Sequence, residues 1–99
     1  MEKGLYHITL ARETVLIPIF GNMGLIKSIS ICNNHVSVAA DIDLYLVDSS
    51  SDDSYILKEM KIPPGATLLL DHDISFDNSV LGLHILTTGT GLPISVIIK

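Results

Sequence analysis

Four histidines, eleven carboxylates and one cysteine are the side chains best placed to do chemistry in this sequence. Their densest grouping is DHDISFDNS, residues 71–79, where His72 stands between Asp71 and Asp73 and Asp77 follows. The pattern Asp71-x-Asp73-x-x-x-Asp77 offers oxygens to a hard cation such as calcium. A calcium loop gathers about six to eight oxygens and usually a bidentate Glu, and neither is visible here. The plainer expectation is a loop whose Asp and Asn side chains satisfy their own backbone. Ser51-Asp52-Asp53-Ser54 reads as a solvated loop tip. His7, His35 and His84 show no two-ligand spacing, because histidines sharing one face of a strand must sit two residues apart. No Gly-x-Ser-x-Gly turn presents a nucleophilic serine. Gly89-Thr90-Gly91 leads through Leu92-Pro93 into a strand rather than a helix N-terminus, so it is no phosphate loop. Cys32 has no second cysteine to pair with and is expected to be a small buried apolar residue. The expectation is a non-catalytic protein with no catalytic residues, no metal and no cofactor.

The elements that would have to position such groups are strands. Residues 35–47, HVSVAADIDLYLV, place Val36, Val38, Ala40, Ile42, Leu44 and Leu46 at even positions, with mostly polar or small residues between them. A period of two makes a long strand with one core face and one wet face, bent or bulged near Ala39 and Ala40. Asn33-Asn34 is expected to turn the preceding strand, residues 25–33, into it as a tight hairpin. Further strands are expected over residues 4–10, 14–20, 55–62, 66–70, 81–88 and 93–99. Pro18 belongs at an edge or bend, and Lys58 spoils the alternation of its strand, which implies a bulge or an edge. Gly21-Asn22-Met23-Gly24 is a turn, and Pro63-Pro64-Gly65 is a turn with Gly at the positive-φ position. About eight short strands, with no segment of helical period, predict an all-β fold. It is a single antiparallel sandwich, jelly-roll or immunoglobulin-like, occupying residues 1–99 as one domain. Residues 1–24 are expected to be an N-terminal arm or edge strands.

Composition narrows the function classes. At 47% apolar and 17% charged, a chain of 99 residues can bury a core without metal or disulfide. No apolar run approaches the roughly 20 residues of a membrane span, and the first residues lack the pattern of a signal peptide. A protein kept or assembled in a cytosol, without membrane contact, is therefore expected. The net charge is −5, and the six basic residues are scattered, which argues against nucleic acid as a partner.

Apolar residues also occupy positions that ought to face water. Tyr45, Val47, Leu57, Leu69, Leu86 and Ile97 lie at the opposite parity of their strands, and Leu16 and Phe20 do likewise near the N-terminus. Central strands covered on both sides, or a bulge that swaps parity, would explain them. Contact with another subunit is the alternative. On the second reading Tyr6, Leu16, Phe20, Tyr45, Val47 and Leu57 are the candidate interface, and Leu16→Asp or Phe20→Asp should spare the fold while weakening assembly.

From about residue 25 onward, the segments ISICNNH, VSVAADIDLYL, YILKEMKIPPGATLLLD and FDNSVLGLHILTTG, with the SVIIK ending, resemble small virion structural proteins of tailed bacteriophages, particularly marine and cyanobacterial ones. The resemblance implies a compact β-sandwich that packs without catalysis in a virion assembled in the host cytoplasm. It implies a capsid decoration (cement) protein on the major capsid protein, or else a neck or tail accessory protein, with other virion proteins and its own copies as partners in a homo-oligomer. A cellular ligand-binding sandwich, sugar- or calcium-dependent, is the rival expectation, and it would give Asp71, Asp73 and Asp77 a role.

Overall fold

The computed structural model describes residues 4–20, 26–50, 52–71 and 73–99. Strands follow wherever the alternation is sustained: β1 (Gly4–Ile8), β2 (Glu13–Ile17), β3 (Ile29–Asn33), β4 (Ala40–Asp48), β5 (Asp53–Ile62), β6 (Thr67–Leu70), β7 (Leu81–Thr88) and β8 (Ile94–Ile98). β1 pairs with β8, β2 with β7, β3 with β6 and β4 with β5, all antiparallel. The chain thus behaves as one long hairpin whose tip is the β4–β5 connection. Rolling that hairpin brings β3 against β8 and β4 against β7. The result is two four-stranded sheets, β1-β8-β3-β6 (sheet I) and β2-β7-β4-β5 (sheet II). This is the strand order of a jelly roll, an open sandwich rather than a closed barrel.

The inward parity is mostly isoleucine. Ile29 and Ile31 of β3 and Ile94, Val96 and Ile98 of β8 meet Ile42 and Leu44 of β4 and Leu83 and Ile85 of β7, all buried. β-branched side chains suit a pleated, half-buried surface, so the residues that favour strands are also those that fill the space between the sheets. β1 and β2 are edge strands, one in each sheet. Residues 4–17 are therefore integral to the sandwich: Ile8, Leu16 and Ile17 are core. Pro18 follows the end of the edge strand β2. The turn expected at residues 21–24 lies outside the described residues.

Two expectations about the β3–β4 corner need correction. The long strand begins at Ala40 rather than at His35. Val36 is 93% exposed and Val38 is also exposed, because residues 34–39 form the corner by which the chain leaves one sheet for the other. His35 Nδ1 accepts the Ser37 and Val38 amides at 3.0 and 2.9 Å, which caps that bend. For the same reason Asn33-Asn34 closes no hairpin, since β3 and β4 lie in different sheets. Asn33 is instead a fully buried corner post. Its Nδ2 donates to Val38 O (2.9 Å) and Ile62 O (3.0 Å), and its Oδ1 accepts from His35 N (2.9 Å). Across the corner, a Cβ on Gly91 would stand 2.1 Å from the Ala39 carbonyl oxygen, so only glycine allows that approach.

The turn after β5 and the edge position of β5 agree with the sequence, while the bulge and the start of β5 are displaced from where it put them. Ala66 N donates to Pro63 O at 3.1 Å, and Gly65 has φ +76, the turn expected of Pro-Pro-Gly. β5 is both an edge strand and bulged: its register against β4 shifts between Ile42 and Leu44 and again between Leu44 and Tyr45. Glu59 carries the extra residue at φ 53, and its amide donates to Asp43 Oδ1. The bulge thus falls opposite residues 42–45 rather than at Ala39 and Ala40. Asp53 and Ser54, expected in a loop, open β5; Ser51 lies outside the described residues.

Candidate interaction surface

Sheet I carries no charged residue on any strand: GLYHI, ISVII, ISICN and TLLL contain no Asp, Glu, Lys or Arg. Its register aligns the outward side chains into rows. Leu5 lies opposite Ile97, Ile97 opposite Ser30, and Ser30 opposite Leu69, so one row crosses all four strands. The next row runs His7, Ser95, Cys32, Thr67 in the same way. Leu5 is 68%, Leu69 55% and Ile97 37% exposed. Cys32 is half-buried on this face and unpaired, rather than in the core.

The outward side of sheet II has a different chemistry. Asp41, Asp43, Asp53, Lys58, Glu59 and Lys61 lie on β4 and β5 and Glu13 on β2. Many of these groups are engaged within the fold. Lys61 Nζ lies 2.7 Å from Asp41 Oδ1, Lys58 Nζ stands 4.5 Å over the Tyr55 ring, and the Tyr45 and Tyr55 rings are 5.4 Å apart. The Tyr45 hydroxyl donates to Glu13 Oε2. Burial first, and then that bond to a carboxylate, push the Tyr45 hydroxyl well above its ordinary pKa. The same bond holds the Glu13 carboxyl below the usual range, against some opposing desolvation. His84 Nδ1 lies 3.3 Å from Glu13 Oε2 but is buried without a properly aligned hydrogen bond. An open hollow of about 480 Å³ is lined by Asp41, Ile42, Asp43, Glu59 and Thr88. Two of its carboxylates are already engaged, Asp41 by Lys61 and Asp43 by the Glu59 amide.

The residues expected at an interface do not share a surface. Leu16 is 1% exposed and Tyr45 is also buried, so neither offers side-chain area to a partner, and Leu16 could not become Asp with the fold intact. Tyr6 points between the sheets and donates from its hydroxyl to the Leu16 carbonyl at 2.6 Å. Leu57 is half-buried against the core, and Val47 is half-buried on β4. Phe20 is 79% exposed but stands apart from the rows of sheet I. Outward parity did find Leu69 and Ile97. Leu5, at the outward parity of β1, is not among the expected interface residues.

The calcium reading fares no better. Asp77 Oδ1 accepts the Ser79 amide (3.0 Å) and hydroxyl (2.5 Å), and these bonds hold its carboxyl below the ordinary range. This is the self-satisfied loop expected from the sequence; His72 lies outside the described residues. Among the described residues no three His, Cys, Asp or Glu side chains converge to hold a metal ion, and no helix is long and apolar enough to cross a membrane.

No protein-family model matches this chain, and no curated protein matches it. Among solved structures, the Anabaena sensory rhodopsin transducer is similar at a TM-score of 0.49 and 15% identity, over 100% of this chain and 97% of that one.

Proposed function

We propose that this protein is a non-catalytic binding module that works by protein contact, through the uncharged outer face of sheet I. The observation that carries the reading is the Leu5–Ile97–Ser30–Leu69 row, with no charge anywhere on its four strands. A sandwich face bathed in water normally alternates to polar residues. Contact faces are instead depleted of charge and enriched in apolar area at their centre. Sheet II, acidic and internally paired, then serves as the solvated side.

The test is a photo-crosslinking amino acid placed at Leu69 or Ile97 and, as control, at Thr88 on the outer side of sheet II, in cells that express the full chain. Discrete protein adducts from the sheet I positions, with none from Thr88, are expected. Equal or absent labelling from both sheets would overturn the reading.

A cellular module of this kind needs nothing beyond that face. The finer placement in a bacteriophage virion, as a decoration protein on the major capsid protein or as a neck or tail piece, is supported by the motif resemblance over residues 25–99. It asks the same face to meet the particle. Mass spectrometry of purified particles tests it: decoration requires the chain in copy numbers near those of the shell protein, a neck or tail piece requires few copies, and absence removes the virion reading.

A further inference from the structure

We propose that the occupant of the sheet I face is a second copy of this chain, docked face to face about a two-fold axis that runs along the strands between β8 and β3. The proposal rests on the contact-face reading and names its partner.

Charge makes the first argument. Each copy carries a net −5, and the carboxylates on the strands all belong to sheet II. Sheet II against sheet II would oppose acidic faces. Sheet I against sheet II would strip water from Asp41, Asp43 and Lys61 without replacing it, and a head-to-tail contact of that kind need not close. Sheet I against itself opposes no formal charge from any strand, and the exposed Lys99 and Asp71 lie just beyond the ends of β8 and β6.

Shape makes the second. The proposed axis reverses strand order, so β1 lies over β6 of the second copy and β8 over β3. Leu5 then faces Leu69 of the second copy, and the bulky Ile97 faces the small Ser30. In the next row His7 faces Thr67 and Ser95 faces Cys32. Large side chains fall against small ones at the centre and leucine meets leucine at both ends, and the arrangement is self-complementary as a two-fold contact must be.

Area sets the strength. Four strands about 4.8 Å apart, each about five residues of 3.4 Å, cover roughly 300 Å² per copy. That is well below the roughly 800 Å² per partner of a standard stable interface. The pair is therefore a weak one, assembled at high concentration or where copies are held close together.

Sedimentation velocity of the purified full chain from low to near-millimolar concentration tests this. The expected result is a monomer–dimer equilibrium that strengthens as salt rises from about 20 to about 500 mM, because salt screens the repulsion between like-charged copies and leaves the apolar contact in place. Ile97→Glu and Leu69→Glu should each abolish the dimer with the melting curve unchanged, while Thr88→Glu should leave it intact. The single cysteine gives an independent readout. With sheets stacked about 10 Å apart, the two Cys32 Cα atoms lie roughly 11 Å apart across the axis, so a short bis-maleimide should produce covalent dimer in the parent chain and lose it in Ile97→Glu. A chain that stays monomeric throughout overturns the second copy; if its sheet I positions still crosslink to other proteins, the contact-face reading survives that failure. A dimer that persists in both Glu variants also overturns the proposal.

Discussion

The two outer faces of this sandwich come from the same two-residue alternation and end in opposite chemistries. On sheet II the outward positions hold Glu13, Asp41, Asp43, Lys61, Tyr45 and His84, and these groups hydrogen-bond, pair and stack with one another. On sheet I they hold Leu5, Ile97, Leu69, Ser30, Ser95 and Thr67, none of them charged, with Ser95 Oγ accepting from Asn34 Nδ2 at 2.7 Å at the corner. What separates the two faces is charge, present across the outward positions of sheet II and absent from the strands of sheet I, rather than the number of apolar residues exposed. Scattered exposed apolar residues are ordinary on any protein. A whole sheet without a charge is not.

Both faces are defined by which side of each strand packs inward, and Leu16 marks that boundary on β2. Leu16→Asp puts a carboxylate into the space between the sheets and should cost more than about 4 kcal/mol, enough to unfold a domain of ordinary stability. Phe20→Asp, at an exposed position, should change stability by less than about 1 kcal/mol. Urea denaturation of the two variants separates them, and a stable Leu16→Asp would mean that β2 does not pack as described.

The corner that joins the sheets comes next. Asn33→Ala leaves the Val38 and Ile62 carbonyls without their buried donor and the His35 amide without its acceptor. A loss of about 2–4 kcal/mol is expected by chemical denaturation. Asn33→Asp should be no milder, because a carboxylate cannot donate to either carbonyl.

Sheet II should respond to pH through Glu13 and Tyr45. The folded Glu13 carboxyl titrates below its unfolded value of 4.5, so its contribution is present above that value and is lost as pH falls through the folded pKa. Tyr45 titrates above its ordinary 10.0, so its contribution is complete below pH 10 and disappears as pH rises toward the folded pKa. Glu13→Gln should flatten the acid limb of the stability profile and Tyr45→Phe the alkaline limb. Ile97→Glu and Leu69→Glu should leave the alkaline limb as it is. Thermal melts across pH 3 to 11 measure both limbs, and a parent profile indifferent to Glu13→Gln would dissolve the Glu13–Tyr45–His84 cluster as a unit.

Period-two alternation made eight strands legible, along with the inward identities of β3, β7 and β8, because one face of each sheet packs on one core. The same pattern overran the corner at residues 35–39, where Val36 and Val38 keep the parity of β4 but lie outside it. Alternation reports which residues could share a face, not whether the chain has already changed sheets. Asn33 reads as a turn residue in sequence, and its three buried hydrogen bonds depend on residues 38 and 62, which no local pattern connects to it. The interface residues split for a related reason: parity names a side of a strand, while membership of a surface requires strand order. Leu69 and Ile97 fall into one row with Leu5 only once β1, β8, β3 and β6 are known to lie in that order.

The mildest substitutions bear most directly on the two outer faces. Lys61 and Asp41 form an ion pair at 2.7 Å, but their side chains are 66% and 41% exposed, so water screens the attraction and ordering a long lysine costs side-chain entropy. Lys61→Met should therefore change stability by no more than about 0.5 kcal/mol, as should Leu69→Glu on the opposite sheet. If both hold in the same denaturation assay, neither outer face owes its composition to the stability of the monomer. The charges of sheet II then serve solubility, and their absence from sheet I must be explained by what that sheet touches. A large loss from Lys61→Met would instead make the pairing on sheet II structural, and the lack of charge on sheet I could no longer be set against a merely solvated counterpart.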